Sequence, residues 1–287
     1  MSSWRVCVLV SGVAAATVLP PRTARAQVCS PYEFGAAQPA YSVRGSELAF
    51  VTANSYPPFF EFWESIIAGP DFSFGRSGNA LHPTWAPDGN RIAFQGYGIE
   101  VMQRGLETTT PLTTGYDDMD PAWSPAGGVI AFIRSGDVWT MNEQGGAQAQ
   151  LTTLGGCSEP AIAPDGASIA FCRGGSVWIQ SLAGGAARAL TAGSRPAWSP
   201  NGRWIVFDSE RSGNPDLWVI SRGGGTAVQL TTDLGGDADP TWSGDGTSIT
   251  YTHFNETCSE LRTLTAEPDY TIAITPTTWS RVKGMYR

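Results

Sequence analysis

Six polar residues recur at one position of the sequence, and their side chains are suited to binding a ligand. Each directly precedes a proline that begins a segment of similar pattern: Gln38, His82, Asp120, Glu159, Arg195 and Asp239. Carboxylates and amides accept hydrogen bonds, and an arginine fork can hold a carboxylate through two parallel bonds. The pattern predicts a recognition ring. The alternative is that these residues cap strand ends or bind neighbouring loops.

The sequence lacks the patterns that nucleophilic or metal chemistry requires. It contains no G-x-S-x-G nucleophile elbow, and His82 and His253 are its two histidines. The aspartates at its turns do not form the alternating series of a calcium loop. We interpret the histidines as polar loop residues and the clusters Asp117–Asp120 and Asp237–Asp239 as solvated loops. The prediction is therefore no catalytic residue, no metal site and no cofactor.

A repeat of six similar segments positions these polar residues. One copy reads HPTWAPDGNRIAF from His82 to Phe94, and another reads RPAWSPNGRWIVF from Arg195 to Phe207. In every copy, eleven positions separate the proline from the closing aromatic residue, and successive prolines lie 36 to 44 residues apart. A period of about forty residues is typical of the four-stranded blades of β-propellers.

Each copy carries signals for strands joined by hairpins. An Asp-Gly or Asn-Gly turn, such as Asp88-Gly89, follows the first strand in most copies and tolerates positive φ. An apolar run such as Val138–Met141 and a segment ending Leu-Thr-Thr supply the later strands. We therefore predict an all-β fold, a six-bladed β-propeller of four-stranded antiparallel blades. The repeated Trp and Phe are expected to pack each blade against the next.

The repeat resembles that of a family of bacterial envelope proteins. Its pattern, P-x-W-S-P-D/N-G-x-x-I-x-F, followed in one copy by SERSGNPDLWVI (Ser209 to Ile220), is similar to the TolB-type propeller repeat. The resemblance covers residues 38–275 and implies the fold and a binding function. TolB carries a further domain before its blades, whereas here only a short lead-in is predicted, so membership of the Tol–Pal system is not implied. Some serine peptidases and sugar lyases share the repeat type.

The N-terminal segment has the form of an export signal. Arg5 precedes an apolar run from Val6 to Leu19, and Ala24-Arg25-Ala26 is a small-x-small cleavage site. We predict a signal peptide at residues 1–26, a lead-in at 27–37, the propeller at 38–275 and a basic tail at 276–287. The blades are predicted to begin near residues 38, 82, 120, 159, 195 and 239.

The charge balance narrows the choice of partners. The net charge is −8, and removal of residues 1–26 takes away three arginines and no acid, which leaves a net charge near −11. Nucleic acid would be repelled by this charge. No second long apolar run follows the signal, so membrane insertion is not expected. We predict a periplasmic or secreted monomer.

Four cysteines remain after the predicted cleavage, and an even number in an exported protein predicts two disulfides. Three pairings are possible. We expect Cys157–Cys172, since the hairpin centred on Asp165-Gly166 places both on adjacent strands. We also expect Cys29–Cys258, which would join the first repeat to the last.

These observations predict a noncatalytic exported propeller that binds a protein or peptide of the envelope or secreted fraction through its channel mouth. We expect hydrogen bonds from the ligand's donors to be accepted by Asp120, Glu159 and Asp239. We expect a carboxylate or amide oxygen of the ligand to be held by Arg195 and His82. The alternative function is a carbohydrate-active or peptidase-related enzyme that uses channel residues.

Overall fold

The computed structural model describes residues 34–42, 48–55, 61–69, 72–77, 80–104, 106, 108–254 and 259–266. The predicted signal peptide, the predicted C-terminal tail and the predicted Cys29–Cys258 pair lie outside these residues. Within them, the chain forms antiparallel sheets whose strands follow one another in chain order.

The first three sheets have four strands each. Blade 1 contains β1 (Phe34–Tyr41), β2 (Leu48–Ser55), β3 (Glu61–Gly69) and β4 (Phe72–Ser77). Blade 2 contains β5 (Leu81–Trp85), β6 (Arg91–Gln95), β7 (Ile99–Gln103) and β8 (Thr109–Pro111). Blade 3 contains β9 (Asp118–Trp123), β10 (Ile130–Arg134), β11 (Asp137–Met141) and β12 (Ala149–Gln150).

The remaining sheets differ in strand number. Blade 4 contains β13 (Cys157–Ile162), β14 (Ser168–Arg173), β15 (Ser176–Ser181) and β16 (Arg188–Ala192). Blade 5 contains β17 (Ser194–Trp198), β18 (Trp204–Ser209), β19 (Asp216–Ser221) and β20 (Val228–Gln229). The last sheet, named the closing sheet, has three strands, β21 (Gly236–Trp242), β22 (Ser248–Phe254) and β23 (Ser259–Thr265).

The prediction of six four-stranded blades is wrong. The described residues form five four-stranded blades, and the repeat that begins at Pro240 forms the three-stranded closing sheet. The prediction failed because the fourth strand was extended to the last repeat by analogy with the other copies, although no segment ending Leu-Thr-Thr follows β23 in the sequence. The residues that follow Ala266, where a fourth strand of this sheet was expected, lie outside the described residues. The all-β propeller of antiparallel four-stranded blades is otherwise confirmed.

The first strands of the sheets surround a central channel. β1, β5, β9, β13, β17 and β21 contact one another in this order, and β21 in turn contacts β1. The ring is therefore closed through contacts between the closing sheet and blade 1. No helix in the described part of the chain combines the length and apolar character that crossing a membrane would require.

Apolar side chains of the repeat fill the space between neighbouring sheets. Trp123 and Phe132 of blade 3 pack against Ala86 and Ala93 of blade 2 in one buried cluster. Two of the tryptophans also donate a hydrogen bond to the preceding blade: Trp85 Nε1 to the Ala40 carbonyl oxygen at 3.0 Å, and Trp198 Nε1 to the Ala161 carbonyl oxygen at 2.9 Å. The repeated Trp and Phe therefore pack each sheet against its neighbour, as predicted from the pattern.

The predicted Cys157–Cys172 disulfide is wrong. Both cysteines are buried free thiols, and the register of β13 against β14 pairs Cys157 with Arg173 and Ser158 with Cys172. Since successive residues of a strand point to opposite faces of the sheet, this offset of one residue directs the two thiols away from each other. Cys157 Sγ lies 3.7 Å from Thr152 Oγ1, whereas Cys172 Sγ donates to the Gly193 carbonyl oxygen.

Candidate functional site

All six predicted ring residues share a left-handed backbone conformation. Their φ angles lie between 50° and 53°. Such angles are uncommon outside glycine, and a following proline further restricts the backbone. Each of these residues lies where the register between the first and second strands shifts. These bulges redirect the chain at one end of the channel in every sheet.

The six ring residues line one cavity of about 330 Å³. The wall of the cavity includes the prolines that follow them and four tryptophans of the first strands: Trp85, Trp123, Trp198 and Trp242. A polar rim over an apolar wall is typical of ligand sites. The structure therefore brings together all six side chains that the sequence singled out.

Ring side chains also bind the backbone of the next blade. Gln38 Oε1 accepts the His82 amide at 2.9 Å, Asp120 Oδ2 accepts the Glu159 amide at 3.1 Å, and Glu159 Oε2 accepts the Arg195 amide at 2.9 Å. Left-handed backbone costs on the order of 1–3 kcal/mol per residue and persists where its surroundings hold it. Three ring residues thus have the strand-capping role given above as the alternative.

Two acceptors of the same kind were not found from the sequence. Gln95 Oε1 accepts the Asp120 amide at 3.3 Å, and Thr252 Oγ1 accepts the Gln38 amide at 3.2 Å. Both residues directly follow the closing aromatic residue of their repeat. The signal that could have revealed them is a polar side chain at a position where other copies carry an apolar residue such as Ile133.

An ionic cluster occupies one side of the ring. Arg195 Nε lies 2.9 Å from Asp239 Oδ1 and 3.5 Å from Glu159 Oε1, and Arg195 Nη1 lies 3.1 Å from Asp208 Oδ2. Asp208 comes from β18 and was not found from the sequence. Its side chain is only 5% exposed, whereas that of Arg195 is 41% exposed. Arg195 therefore lies between three carboxylates and the channel.

Burial shifts the protonation of this cluster. Burial raises the pKa of Asp208 to about 6, although Arg195 opposes the shift. Burial also raises the pKa of Glu159. For Arg195, burial alone would lower the pKa, but Asp208, Asp239 and Glu159 raise it. The guanidinium thus stays charged, while the buried carboxylates gain protons at higher pH than exposed ones do.

Gln38, His82 and Asp120 form the other side of the ring. His82 Nε2 lies 3.3 Å from Gln38 Nε2 and 3.3 Å from Asp120 Oδ1. His82 belongs to β5 and lines the cavity, so its interpretation as a polar loop residue is wrong.

A second group of ionisable residues lies in the closing sheet. His253 Nδ1 is 2.6 Å from Asp237 Oδ1, and both side chains are at most 5% exposed. Together with exposed Asp233 they are the described residues whose ligand atoms are grouped closely enough for a metal ion. Asp233 is already paired with Arg262 Nη1 at 2.9 Å, which opposes a cation there. The expectation of a solvated loop is wrong for Asp237 and also for Asp118 and Asp120, which are buried in β9. The expectation of a polar loop residue is wrong for His253, which is buried in β22.

Comparisons with known proteins identify related sequences. No family model matches the chain. It is 29% identical over 194 residues to a TolB homologue of Chlorobium luteolum, which covers 64% of this chain and 36% of that protein. It is also 45% identical over 58 residues to YuxL, an uncharacterised peptidase of Bacillus subtilis, and this match covers 20% of this chain and 9% of that protein. The aligned part thus spans about a third or less of these relatives.

Solved structures share the fold. TolB from Acinetobacter baumannii superposes with a TM-score of 0.63 at 21% identity, covering 75% of this chain and 58% of that one. TolB of Agrobacterium tumefaciens, described as putative in that structure, gives 0.57 at 22% identity over 63% and 72% of the two chains. The propeller domain of the Trilobed protease from Pyrococcus furiosus gives 0.53 at 12% identity over 81% and 83%. Together with the repeat, the TolB relatives support assigning this chain to the TolB-like β-propellers.

Proposed function

We propose that this protein is a noncatalytic, exported propeller that binds a protein or peptide of the cell envelope through its channel mouth. The channel mouth is the cavity rim formed by the six ring residues. The relatives named TolB support an envelope location and a protein partner. Export would remove residues 1–26, so mass spectrometry of periplasmic or secreted material should find a chain that begins near Gln27. An intact Met1 would contradict export by this route.

One observation on the surface carries the proposal. Among the described residues, six large apolar side chains are exposed, and five of them lie at the end of the channel that holds the ring: Tyr97, Tyr116, Leu154, Leu234 and Phe254. Contiguous exposed apolar patches mark interaction surfaces, and Tyr97 and Tyr116 are in contact with each other here. Leu106, the sixth, lies between β7 and β8 at the opposite end.

The strand register assigns these residues to the mouth end. Leu81, next to the ring residue His82, pairs with Gln95, so the loop that contains Tyr97 extends past the start of β5. Tyr116 lies in the connection that enters β9 just before the ring residue Asp120. The two tyrosine rings stack edge to face at 5.8 Å, with exposed fractions of 70% and 79%. Such tyrosines are frequent anchors of protein interfaces.

An enzyme remains the second candidate. The short match to a peptidase and the likeness to a protease propeller domain favour it. Those structures share the fold with this chain at low identity, and a fold does not define an activity. Among the hydrogen bonds between described residues, neither His82 nor His253 has a serine, threonine or cysteine partner. Saturable turnover of peptide or polysaccharide fragments that is lost on Asp120→Asn would support the enzyme.

A pull-down from envelope extract tests the binding face. The tagged chain is crosslinked to its partner, and variants are then compared for capture of that partner. Tyr97→Ala with Tyr116→Ala should weaken binding by tenfold or more, on the order of 1–3 kcal/mol. Leu106→Ala, an exposed apolar residue at the opposite end, is the matched control. If Leu106→Ala weakens capture and the tyrosine variant does not, the binding face is the wrong one.

A further inference from the structure

The channel mouth carries an excess of negative charge. Asp120, Glu159 and Asp239 line the cavity, and Arg195 is the one lysine or arginine among the described lining residues. A fourth carboxylate, Asp208, is buried against Arg195. With all four carboxylates ionised, they and Arg195 together carry a formal net charge of −3. A site walled by low-dielectric side chains focuses such a field on a ligand.

Arg195 is already engaged by the carboxylates that surround it. Asp239, Asp208 and Glu159 all lie within 3.5 Å of its guanidinium. A carboxylate of a ligand would have to compete with these three groups and would meet their repulsion. These contacts oppose the expected role of Arg195 in holding an anionic group of the ligand and favour a cationic ligand group instead.

Resting on the proposed function, we infer that the channel mouth selects a cationic group of the bound protein or peptide, a lysine or arginine side chain or a free N-terminal amine. The rim supplies carboxylates for the charged head, and the wall supplies prolines and tryptophans for an aliphatic stem. Lysine and arginine side chains combine these two parts, since their stems bury on apolar surface while their heads remain in polar surroundings. A cavity of about 330 Å³ can admit such a side chain.

The cluster also predicts how this selection depends on pH. Asp208 is faced by Arg195 from β17, Glu159 from β13, Asp239 from β21 and the Cys172 thiol from β14. An approaching cation favours the ionised carboxylates, so its binding releases protons near the pKa of Asp208, which is about 6. Affinity for a cation should therefore rise between pH 5 and pH 7.5.

Model peptides test the selection on the full chain. The probes are acetylated and amidated peptides with a central arginine, glutamine or glutamate between glycines. Calorimetry at pH 7.5 and low ionic strength should give the arginine peptide about tenfold tighter binding than the glutamine peptide, with the glutamate peptide weakest. Equal or tighter binding of the glutamine or glutamate peptide, or no binding of the arginine peptide, overturns the inference.

Matched variants locate the effect. Asp239→Asn and Asp120→Asn each remove one negative charge from the rim. Loss of the Asp239 carboxylate also removes a partner of Arg195. Asp120 pairs with His82 and not with Arg195, so Asp120→Asn tests the rim charge without disturbing the contacts of Arg195. Both should bring the arginine peptide close to the affinity of the glutamine peptide. Asp88→Asn removes the same charge at the opposite end and should change little. If Asp88→Asn weakens binding as much as the rim variants, the site is elsewhere and the proposed face fails too. If the channel mouth still binds its partner but does not prefer the arginine peptide, only the inference of a cationic ligand group is rejected.

Discussion

Two buried aspartates occupy equivalent positions in two sheets but have different partners. Asp118 pairs in register with Arg134 in blade 3, and Asp237 pairs in register with His253 in the closing sheet. Arg134 Nε and Nη2 donate to both oxygens of Asp118, at 2.6 and 2.9 Å. His253 reaches one oxygen of Asp237 and leaves Oδ2 without a hydrogen-bond partner among the described residues.

The difference appears in the ionisation of the two carboxyls. Burial would raise the pKa of Asp118, but hydrogen bonds from Arg134 and Thr113 hold it below its usual value. Burial raises the pKa of Asp237, and the bond from His253 opposes the rise only in part. The same fold position thus tolerates an ionised or a readily protonated carboxyl, according to how many donors its partner offers.

The largest effect should follow loss of Arg134. Arg134→Met leaves the ionised Asp118 buried without its cation, and we expect a loss of about 2–4 kcal/mol in the free energy of unfolding. The arginine is 28% exposed, so water offsets part of the full cost. Urea unfolding at pH 7.5 measures the loss. Arg134→Lys, the control, should lose less, and a cost below about 1 kcal/mol for Arg134→Met would contradict the comparison.

A smaller effect is expected at the equivalent position of the closing sheet. His253→Gln removes one hydrogen bond from a carboxyl that takes up a proton readily, so the free energy of unfolding should fall by roughly 1–2 kcal/mol. The same urea measurement applies. A loss equal to that of Arg134→Met would show that the two pairs hold their carboxyls in the same charge state.

The two aspartates should also give opposite dependences on pH. The lowered pKa of Asp118 means that its contribution to stability is present above its unfolded pKa and is lost as pH falls through the folded value. The raised pKa of Asp237 means the reverse: its contribution is present below the unfolded value and is lost as pH rises through the folded one.

Unfolding of two matched variants between pH 3 and pH 8 measures this contrast. Relative to the wild type, Asp118→Asn should become less stable as pH rises, and Asp237→Asn should become more stable. Slopes of the same sign would contradict the assignment of ionisation to either pair.

The smallest effect concerns a third sheet with the same register. Cys157 pairs with Arg173 in blade 4, and Arg173 donates to the Leu154 and Gly155 carbonyl oxygens. Cys157→Asp would rebuild the blade 3 pair, and a double-mutant cycle with Arg173→Met should give a coupling of about 1 kcal/mol. Absence of coupling would show that Arg173 keeps its bonds to the Leu154 and Gly155 carbonyl oxygens and does not turn to the new carboxylate. The pair in blade 3 would then depend on more than the strand register.

The sequence by itself determined the repeat and the positions that line the channel. The fixed distance from proline to aromatic residue specifies one hairpin per sheet, and a polar residue before each proline marks where the chain enters the channel. These features are local, since they depend on turn chemistry and on alternation along single strands. No segment ending Leu-Thr-Thr follows β23, so the fourth strand of the last sheet was expected only by analogy with the other copies. The described residues form three strands there and five four-stranded blades before it.

Only the tertiary structure decided which residues meet across sheets. A shift of one residue in the β13–β14 register separates Cys157 from Cys172, and the pattern of single strands does not contain that register. Asp208 approaches Arg195 from a different strand, and the 3.1 Å between Arg195 Nη1 and Asp208 Oδ2 pairs the arginine with a buried carboxylate. Charge pairing depends on separations of a few ångströms and on burial, and both are set by how neighbouring sheets pack.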